Sequence, residues 1–407
     1  MNSKSLAIRT FLSGFITGLT CITIIIFVCQ YTGVIDIAVA LNTHKTDVEY
    51  KKQVEDKAKL IGNYIETYYF DDIDKEQMQD SVYKGIVNGL CDRYSAYYTE
   101  EENKTIMEKS SGVYCGIAAY IAINKEGYLE IVKPSPGGLA EKAGLKSGDI
   151  VRMIDGKNIK GLDISTIMSM VRGEKGTKVK FVIDRKGESE YFEIEVVREE
   201  VEDDTVRYKM FENNVGYISV SAFETVTSDQ FDRAVSALER QKMNSLIVDL
   251  RDNGGGQLST AVEMLDRIIG KGLVVYTKDK QGEREELYAE DKKHLEVPIV
   301  ILVNGNSASA SEVFAGALKD YDKAVLIGTK TFGKGIVQTI FNLKDGSSIK
   351  LTTSKYYTPK GTNIHGVGFE PDIKVEFDAE SVEDIKEVDA IRRDNQIQAA
   401  IDYLSGQ

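Results

Sequence analysis

The stretch VNGNSASASEVFAGALKDYD, from Val303 to Asp322, places three serines between an apolar run and a helical pattern. The run before it, PIVILV, has the length and the branched apolar residues of a buried strand. The segment SEVFAGALKD is typical of a helix that begins at a serine cap. A buried strand that leads directly into a helix is the repeating unit of an α/β fold.

The same unit recurs from Tyr208 onward. Strand-like VGYISVSAF, SLIVDLRDN and AVLIGTK alternate with helical SDQFDRAVSALERQ and STAVEMLDRIIG. This repetition predicts a sheet covered by helices. The last segment, SVEDIKEVDAIRRDNQIQAAIDYLSGQ, is mostly polar and is predicted to be helical.

Two other regions precede this core. From about Gly112 to Val197, short strands alternate with glycine turns, which predicts a compact module of about 85 residues. Upstream of it, VEYKKQVEDKAKLIGNYIETYYF and DKEQMQDSVYKGIVNGL show helical periodicity. We interpret these helices as a packing or oligomerisation element.

The amino-terminal region predicts a membrane anchor. Phe11 to Val34 carries no charge and follows Lys4 and Arg9. About 20 apolar residues span a bilayer, and the basic end of such a segment stays in the cytoplasm. We therefore expect a single-pass protein of the cell membrane whose remaining chain is extracytoplasmic. A cleaved signal peptide is the alternative, although its best cleavage site, AVA at 38–40, lies far downstream.

Charge and cysteine content exclude two classes of protein. The net charge is −13, with acids and bases interspersed, whereas a nucleic-acid binder normally shows a basic face. Cys21 and Cys29 lie in the apolar run, and Cys91 and Cys115 are far apart, so no zinc-binding spacing is present. We expect neither a metal nor a cofactor.

The serines can be read in two ways. A serine at a helix N-terminus is a favoured cap, yet a nucleophile there would gain from the partial positive charge of the helix. VDLRDNGGGQL, Val248 to Leu258, places three glycines after another buried strand. Glycines let backbone N–H groups approach a reacting oxygen, as an oxyanion hole requires. A phosphate cradle is less favoured because both common phosphate-binding motifs are missing.

The candidate base is a lysine. None of the three histidines lies beside a serine motif, whereas TKTFGKGIVQTI places Lys334 between two glycines. A free lysine titrates near pH 10.4 and is protonated at neutral pH. Burial and a nearby helix N-terminus would lower its pKa toward working pH.

NSASASEVFAGAL, TFGKGIVQ, DLRDNGGG and YYTPKGTNIHGVGFEPDI together resemble the carboxy-terminal processing (tail-specific) serine proteases. GGLAEKAGLKSGDIVRMIDGKNIKGL looks like the PDZ domain of that family. GLCDRYSAYYTEEE resembles its D-P-Y-S-x-Y segment, with Arg93 where proline is usual. The resemblance covers about residues 48 to 405.

The resemblance implies a serine–lysine dyad: Ser309 attacks the substrate, Lys334 takes its proton, and Gln338 holds the lysine amine. On a straight strand residues four apart lie roughly 13 Å apart, so a contact between Lys334 and Gln338 needs a bend, which Gly335 would permit.

The resemblance also implies oxyanion donors and a binding site for substrate tails. The donors would be the backbone N–H groups of Ala310 and Gly255, with Gly254 at the usual proline position. PDZ domains bind chain ends as an added strand, and GVYCGIAAYIAI resembles the carboxylate-binding loop. The implied tail-binding residues of the PDZ domain are Tyr114, Gly116, Ile117 and Arg172. The resemblance also suggests that the PDZ domain gates the protease, with Arg172 as a candidate for coupling the two. The alternative is a solvated turn residue, which is the usual role of a charged residue in a turn. The implied substrates are polypeptides with accessible, apolar C-termini.

The sequence thus predicts an α/β protease core, with a mixed sheet and helices, that carries an inserted PDZ domain. The predicted segments are 1–34 (cytoplasmic tip and transmembrane anchor), 35–111 (helical region), 112–199 (PDZ domain), 200–375 (protease core) and 376–407 (helical segment). The predicted activity is that of an endopeptidase working through an acyl-enzyme. The helical ends are expected to build a homo-oligomer, either a dimer or a higher ring. A PDZ scaffold with an inactive core and an acyl-CoA-type enzyme are the alternatives. An inactive core would be expected to lose Ser309, Lys334 or Gln338, and the acyl-CoA-type enzyme would lack the PDZ domain.

Overall fold

The computed structural model describes residues 45–290, 294–379 and 393–406. The predicted membrane anchor at 1–34 lies outside these residues and stays a prediction. Within the described ranges, no helix is both long enough and apolar enough to cross a membrane. The chain divides into two units, one ending at Ser81 and the other beginning at Val82.

The first unit contains helix α1, Lys45–Tyr68, and the start of helix α2, Lys75–Asn88. Both helices confirm the prediction from periodicity. The apolar face of α1 is exposed in the single chain: Val54, Ile61 and Tyr68 are 44%, 50% and 76% exposed. Contiguous apolar surface of this kind is typical of an interaction site.

The predicted helical region also contains a strand. β1, Ala96–Tyr98, precedes helix α3, Glu100–Ser111. It pairs antiparallel with β18, Ser348–Tyr357. The sequence analysis did not predict this strand, because its pairing partner is remote in sequence, although tyrosines favour strands.

The predicted PDZ module is an antiparallel sheet in the order β3-β4-β5-β7-β8, with β6 beside β5. Its own apolar core includes Leu129, Ile167 and Phe181. The strands are β3 Ala119–Ile123, β4 Leu129–Pro134, β5 Asp149–Ile154, β6 Lys157–Asn158, β7 Lys178–Asp184 and β8 Phe192–Val197, and the helices are α4 Leu139–Lys142 and α5 Ile164–Val171. Since β3 is an edge strand, an extended chain could pair with it.

The two ends of this module are joined by a pair of strands. β2, Val113–Gly116, lies antiparallel to β9, Glu199–Glu202, and Gly116 is opposite Glu199. The module is therefore inserted between two strands that already pair with each other.

The main sheet of the α/β core has the order β10-β11-β12-β15-β16-β19. β10 is antiparallel to β11, and the other pairs are parallel. The strands are β10 Val206–Met210, β11 Val215–Val220, β12 Ser245–Asp249, β15 Ile299–Val303, β16 Ala324–Gly328 and β19 Ile373–Lys374. All residues of β12 and β15 are buried, as expected of central parallel strands covered on both faces.

Helices pack on both faces of this sheet, which confirms the predicted α/β layer. One apolar core contains Val248 of β12 together with Phe231, Leu265 and Phe314. The other contains Ile247 of β12 and residues of the last helix. The helices are α6 Thr227–Arg240, α7 Leu258–Ile269, α8 Ala310–Asp320 and α9 Asn395–Ser405.

A second, antiparallel sheet has the order β1-β18-β13-β14, and β17 also pairs with β18. Its remaining strands are β13 Gly272–Asp279, β14 Arg284–Ala289 and β17 Ile336–Asn342. The sequence did not predict this sheet. β17 follows the glycine–lysine turn directly, so this sheet positions the residues downstream of Lys334.

Candidate active site

Ser309 lies in a sharp turn between strand β15 and helix α8. Its backbone has φ 57° and ψ −116°, a conformation that is sparsely populated by residues other than glycine. Such backbone strain is found most often at functional sites. The residue is partly buried and immediately precedes the N-terminus of α8, where a developing negative charge is favoured.

The carboxylate of Glu312 joins this turn to the lysine loop. One oxygen accepts the Ser309 N–H at 3.0 Å and the Lys334 N–H at 2.8 Å. The other accepts the Gly333 N–H at 2.8 Å and the Thr331 hydroxyl at 2.6 Å. Glu312 is completely buried. Glu312 therefore joins the serine turn to the lysine loop as well as lying in the first turn of α8.

Tyr356 of β18 makes a second connection. Its hydroxyl lies 3.1 Å from the carbonyl oxygen of Ser309 and also contacts the carbonyl oxygen of Lys334. Burial raises the pKa of Tyr356 well above its usual value, so the phenol stays protonated and can donate. The backbones of Ser309 and Lys334 are thus held by two buried side chains.

The amine of Lys334 is partly buried, with Nζ 4.9 Å from the centroid of the Tyr94 ring. Burial, and then the charges of Lys350 and Arg93, lower the pKa of Lys334, while Asp92 acts in the opposite direction. Considering the described residues, Lys334 Nζ and the Ser309 hydroxyl form no hydrogen bond. Glu312 brings the backbones of the two residues together, but the proton-transfer contact is not made in this conformation.

Gln338 lies on β17 beside an irregularity in the pairing with β18, between Val337 and Gln338. Its Nε2 donates to Thr352 Oγ1 at 3.4 Å, and the Thr352 hydroxyl donates to Asp92 at 2.6 Å. No hydrogen bond joins Gln338 to Lys334 among the described residues. The structure therefore connects Gln338 to Asp92 through Thr352.

The two predicted oxyanion donors lie beside Ser309. A Cβ on Gly255 would come within 2.9 Å of Ser309 Cβ and 3.0 Å of the Ala310 nitrogen. The Ala310 N–H has no acceptor in the described part of the chain. The Gly255 N–H instead donates to Asn253 Oδ1 at 2.8 Å. It would have to leave this acceptor before it could bind an oxyanion.

The flanking serines hold the turn in place. The Ser307 hydroxyl donates to the Leu250 carbonyl oxygen at 2.8 Å, and the Ser311 hydroxyl donates to the Asn253 carbonyl oxygen at 2.8 Å. Both hydroxyls are buried and tie the nucleophile turn to the glycine loop. These hydrogen bonds give Ser307 and Ser311 a supporting role in the turn that carries Ser309.

Comparison with known proteins identifies the family. The family model described as peptidase family S41 matches residues 214–375, and a PDZ-domain model matches residues 130–185. The carboxy-terminal processing protease CtpA of Bacillus subtilis (strain 168) is 36% identical over 323 residues, which cover 79% of this chain and 69% of that protein. The chain belongs to the carboxy-terminal processing proteases of peptidase family S41.

Two further comparisons agree with this S41 assignment. A probable CtpA-like serine protease of Staphylococcus aureus (strain N315) is 36% identical over 362 residues, covering 88% of this chain and 71% of that protein. The crystal structure of a putative S41 protease from Bacteroides fragilis NCTC 9343 matches 83% of this chain and 98% of its own, with a TM-score of 0.51 and 18% identity. The latter supports the fold alone.

The predicted tail-binding residues of this S41 protease lie close together in the PDZ domain, with one exception. Arg172 Cζ is 4.4 Å from the centroid of the Tyr114 ring. A Cβ on Gly116 would come within 2.7 Å of the same ring. Ile117 instead belongs to the buried core of the domain. Only 3% of Ile117 is exposed, so its side chain is unavailable to a ligand.

Sequence reasoning missed several residues of the S41 site. Tyr356 and Thr352 come from β18, and Lys350 of the same strand contributes charge near Lys334. Asp92 and Tyr94 lie in the DRYS segment that the resemblance identified without giving a role. Only that resemblance could have drawn attention to them, because their contacts depend on strand pairing between remote segments.

Proposed function

We propose that this S41 protease is a membrane-anchored, extracytoplasmic endopeptidase with Ser309 as nucleophile and Lys334 as general base. The observation that carries the proposal is the Glu312 carboxylate, which accepts N–H groups from both residues. It holds together the backbones of two groups that must exchange a proton. The lowered pKa of Lys334 supports the same roles, since only the neutral amine can accept that proton.

The proposed reaction passes through an acyl-enzyme. Ser309 Oγ attacks the carbonyl carbon of the scissile peptide, and its proton moves to Lys334 Nζ. The carbonyl oxygen becomes an oxyanion that receives the Ala310 N–H and, once released from Asn253, the Gly255 N–H. Lys334 then gives its proton to the leaving amine as the peptide bond breaks. Water hydrolyses the ester, with Lys334 again as base, and Gln338 supports the amine through the Thr352–Asp92 contacts.

The PDZ domain would select substrates by their C-terminal tails. The Nε of Arg172 is buried and has no acceptor among the described residues. A buried, unsatisfied guanidinium nitrogen is costly, and a carboxylate is its best partner. A tail lying along edge strand β3 could bring its terminal carboxylate to this region. We expect apolar tails because Ala119 and Ile121 of β3 and Met170 of α5 are partly buried apolar residues packed against the core of the domain.

The anchor at 1–34 and a homodimer complete the proposal. The exposed apolar face of helix α1 supports self-association. Sedimentation of residues 45–407 should therefore give a dimer, and a Val54→Glu, Ile61→Glu variant should give a monomer.

Protease added to intact cells or spheroplasts should digest the catalytic part if it is extracytoplasmic.

A cleavage assay tests the central activity. Residues 45–407 are incubated with an unfolded protein that ends in either an apolar or a charged tail. The proposal predicts faster cleavage of the apolar-tailed protein and none by Ser309→Ala or Lys334→Ala variants that remain folded. Cleavage by the Ser309→Ala variant would refute it. Tail binding without cleavage by the unaltered protein would favour a scaffold role.

A further inference from the structure

Two other basic side chains, Arg93 and Lys350, lie near the proposed catalytic amine of Lys334. Lys334 Nζ and Arg93 Cζ lie 4.9 Å and 4.7 Å from the centroid of the same Tyr94 ring, so their charges are at most about 10 Å apart. Lys350 lies on β18 opposite Ala96, and its Nζ is 5.1 Å from the Tyr98 ring centroid. The basic cluster is therefore formed by the DRYS segment, the lysine loop and β18.

None of these three cations forms a salt bridge with a carboxylate of the described residues. The chain has 64 acidic and 51 basic residues, so unpaired bases beside one another are not forced by composition. Arg93 instead contacts the Tyr94 hydroxyl and lies 5.7 Å from the centroid of the Phe332 ring.

The acidic groups near Lys334 are engaged elsewhere. Asp92 accepts the Ser95 hydroxyl at 2.7 Å and the Thr352 hydroxyl at 2.6 Å. Glu312 contacts the backbone N–H of Lys334 rather than its amine. The two nearby phenols, Tyr94 and Tyr356, contact Arg93 and backbone oxygens respectively. Asp92 therefore opposes the charges of Arg93 and Lys350 at the amine, but it forms a salt bridge with neither of them among the described residues.

We propose that Arg93 and Lys350 are positioning residues for the base, and that their unpaired charges keep the amine of Lys334 in its neutral, proton-accepting form. The inference rests on the proposed role of Lys334. Like charges near a partly buried amine disfavour its ammonium form.

A substrate-binding role for Arg93 makes a different prediction. A guanidinium that binds a substrate carboxylate changes KM for acidic substrates and leaves the pH dependence unchanged. A guanidinium that acts on Lys334 moves the pH profile for every substrate. The pH profile therefore separates the two roles.

The test compares Arg93→Gln, Lys350→Gln and the double variant with the charge-conserving variants Arg93→Lys and Lys350→Arg. Arg233→Gln removes an exposed arginine on α6 and is the matched control. The pH profile of kcat/KM is measured on a neutral peptide at low salt and at 1 M salt. Acetylation of the Lys334 amine, followed across pH by peptide mapping, reports its ionisation without turnover.

Each glutamine variant should raise the midpoint of the kcat/KM pH profile and the midpoint of the acetylation profile by about half a pH unit. This is the shift expected of partly solvated charges roughly 10 Å apart. The double variant should move them by about one unit. The charge-conserving and control variants should match the unaltered protein, and the shifts should shrink at 1 M salt, where the Debye length is about 3 Å.

Unshifted midpoints in the double variant, or a change in KM alone, would overturn the inference. Failure of the unaltered protein to cleave any peptide would count against the proposed function instead. The acetylation profile would still decide whether Arg93 and Lys350 act on Lys334.

Discussion

Glu312 receives backbone N–H groups from the serine turn and from the lysine loop, and it is completely buried. A carboxylate can accept at both oxygens, whereas an amide presents an NH2 group on one side. In a Glu312→Gln variant, that NH2 would face N–H donors. The position of Ser309 relative to Lys334 therefore depends on this negative charge.

We expect Glu312→Gln to lower kcat/KM about 100-fold, because misplaced catalytic groups lose this much rate. The free energy of unfolding should fall by about 1–3 kcal/mol, the cost of buried donors without acceptors. Steady-state kinetics and urea denaturation measure the two effects. Glu370→Gln, at an exposed residue paired with Lys330, should change neither. Kinetics like those of the unaltered protein would show that Glu312 is only a cap.

The glycine loop offers a matched pair of substitutions. Gly255 has φ 100°, and a Cβ there would meet the Ala308 carbonyl oxygen at 2.7 Å. At Gly254 a Cβ would meet nothing within 4 Å. Gly255→Ala should reduce kcat/KM at least 100-fold, whereas Gly254→Ala should retain most activity. Equal losses in the two variants would contradict the placement of Gly255 beside the nucleophile.

One arginine of the core, Arg251, binds polar groups at the N-terminal end of the last helix, α9. Arg251 follows β12 and pairs with Asp249 at 2.6 Å and with Asp394 at 2.8 Å. It also donates to Gln396 at 2.7 Å. The partners Asp249, Asp394 and Gln396 are buried, and Arg251 is partly buried. These contacts connect α9 directly to β12, the strand that leads into the glycine loop.

Removing this arginine leaves two buried carboxylates without their partner. We expect Arg251→Met to lower the free energy of unfolding by about 3 kcal/mol. Urea denaturation measures the loss, and Arg233→Met at an exposed residue is the control. A change below about 1 kcal/mol would mean that α9 is held by its apolar contacts alone.

The parallel strands and their helices could be predicted because each one carries a local pattern. β12 and β15 are continuous apolar runs, and α6 repeats its apolar residues at helical spacing. The antiparallel sheet could not be predicted in this way. Tyr97 of β1 pairs with Ile349 of β18, and no local pattern encodes a contact over that separation.

The same difference explains which parts of the site could be predicted. The resemblance identified Ser309, Lys334 and Gln338. In the structure, Glu312 joins the backbones of Ser309 and Lys334, and Gln338 lies on β17, directly after the lysine loop. Their partners Tyr356 and Thr352 required strand pairing to be known. The serine turn is a local feature, whereas the hydrogen bond from the Lys334 N–H to Glu312 spans 22 residues and no local pattern encodes it.

The whole molecule is a core that carries the PDZ domain as an insertion. Because Gly116 lies opposite Glu199, a two-residue Asn-Gly turn could replace residues 117–198 and close a hairpin. The apolar core of the PDZ domain is separate from that of the α/β core. We expect the shortened protein to fold cooperatively and to cleave both tailed proteins at equal rates.

Circular dichroism during thermal unfolding checks the fold of the shortened protein, and the tailed-protein assay checks its selectivity. The unaltered protein is the reference for both. Continued preference for the apolar tail would place tail recognition outside the PDZ domain. Loss of folding would show that the core needs the inserted domain.

The central claim is that Ser309 is acylated with Lys334 as base, and trapping the acyl-enzyme tests it most directly. Residues 45–407 are mixed with a slowly hydrolysed peptide ester, quenched in acid and mapped by mass spectrometry. We predict an acyl group on Ser309, formed faster as pH rises and roughly 100- to 10,000-fold slower in Lys334→Ala. An acyl group on another residue, or an unchanged rate in Lys334→Ala, would contradict the account.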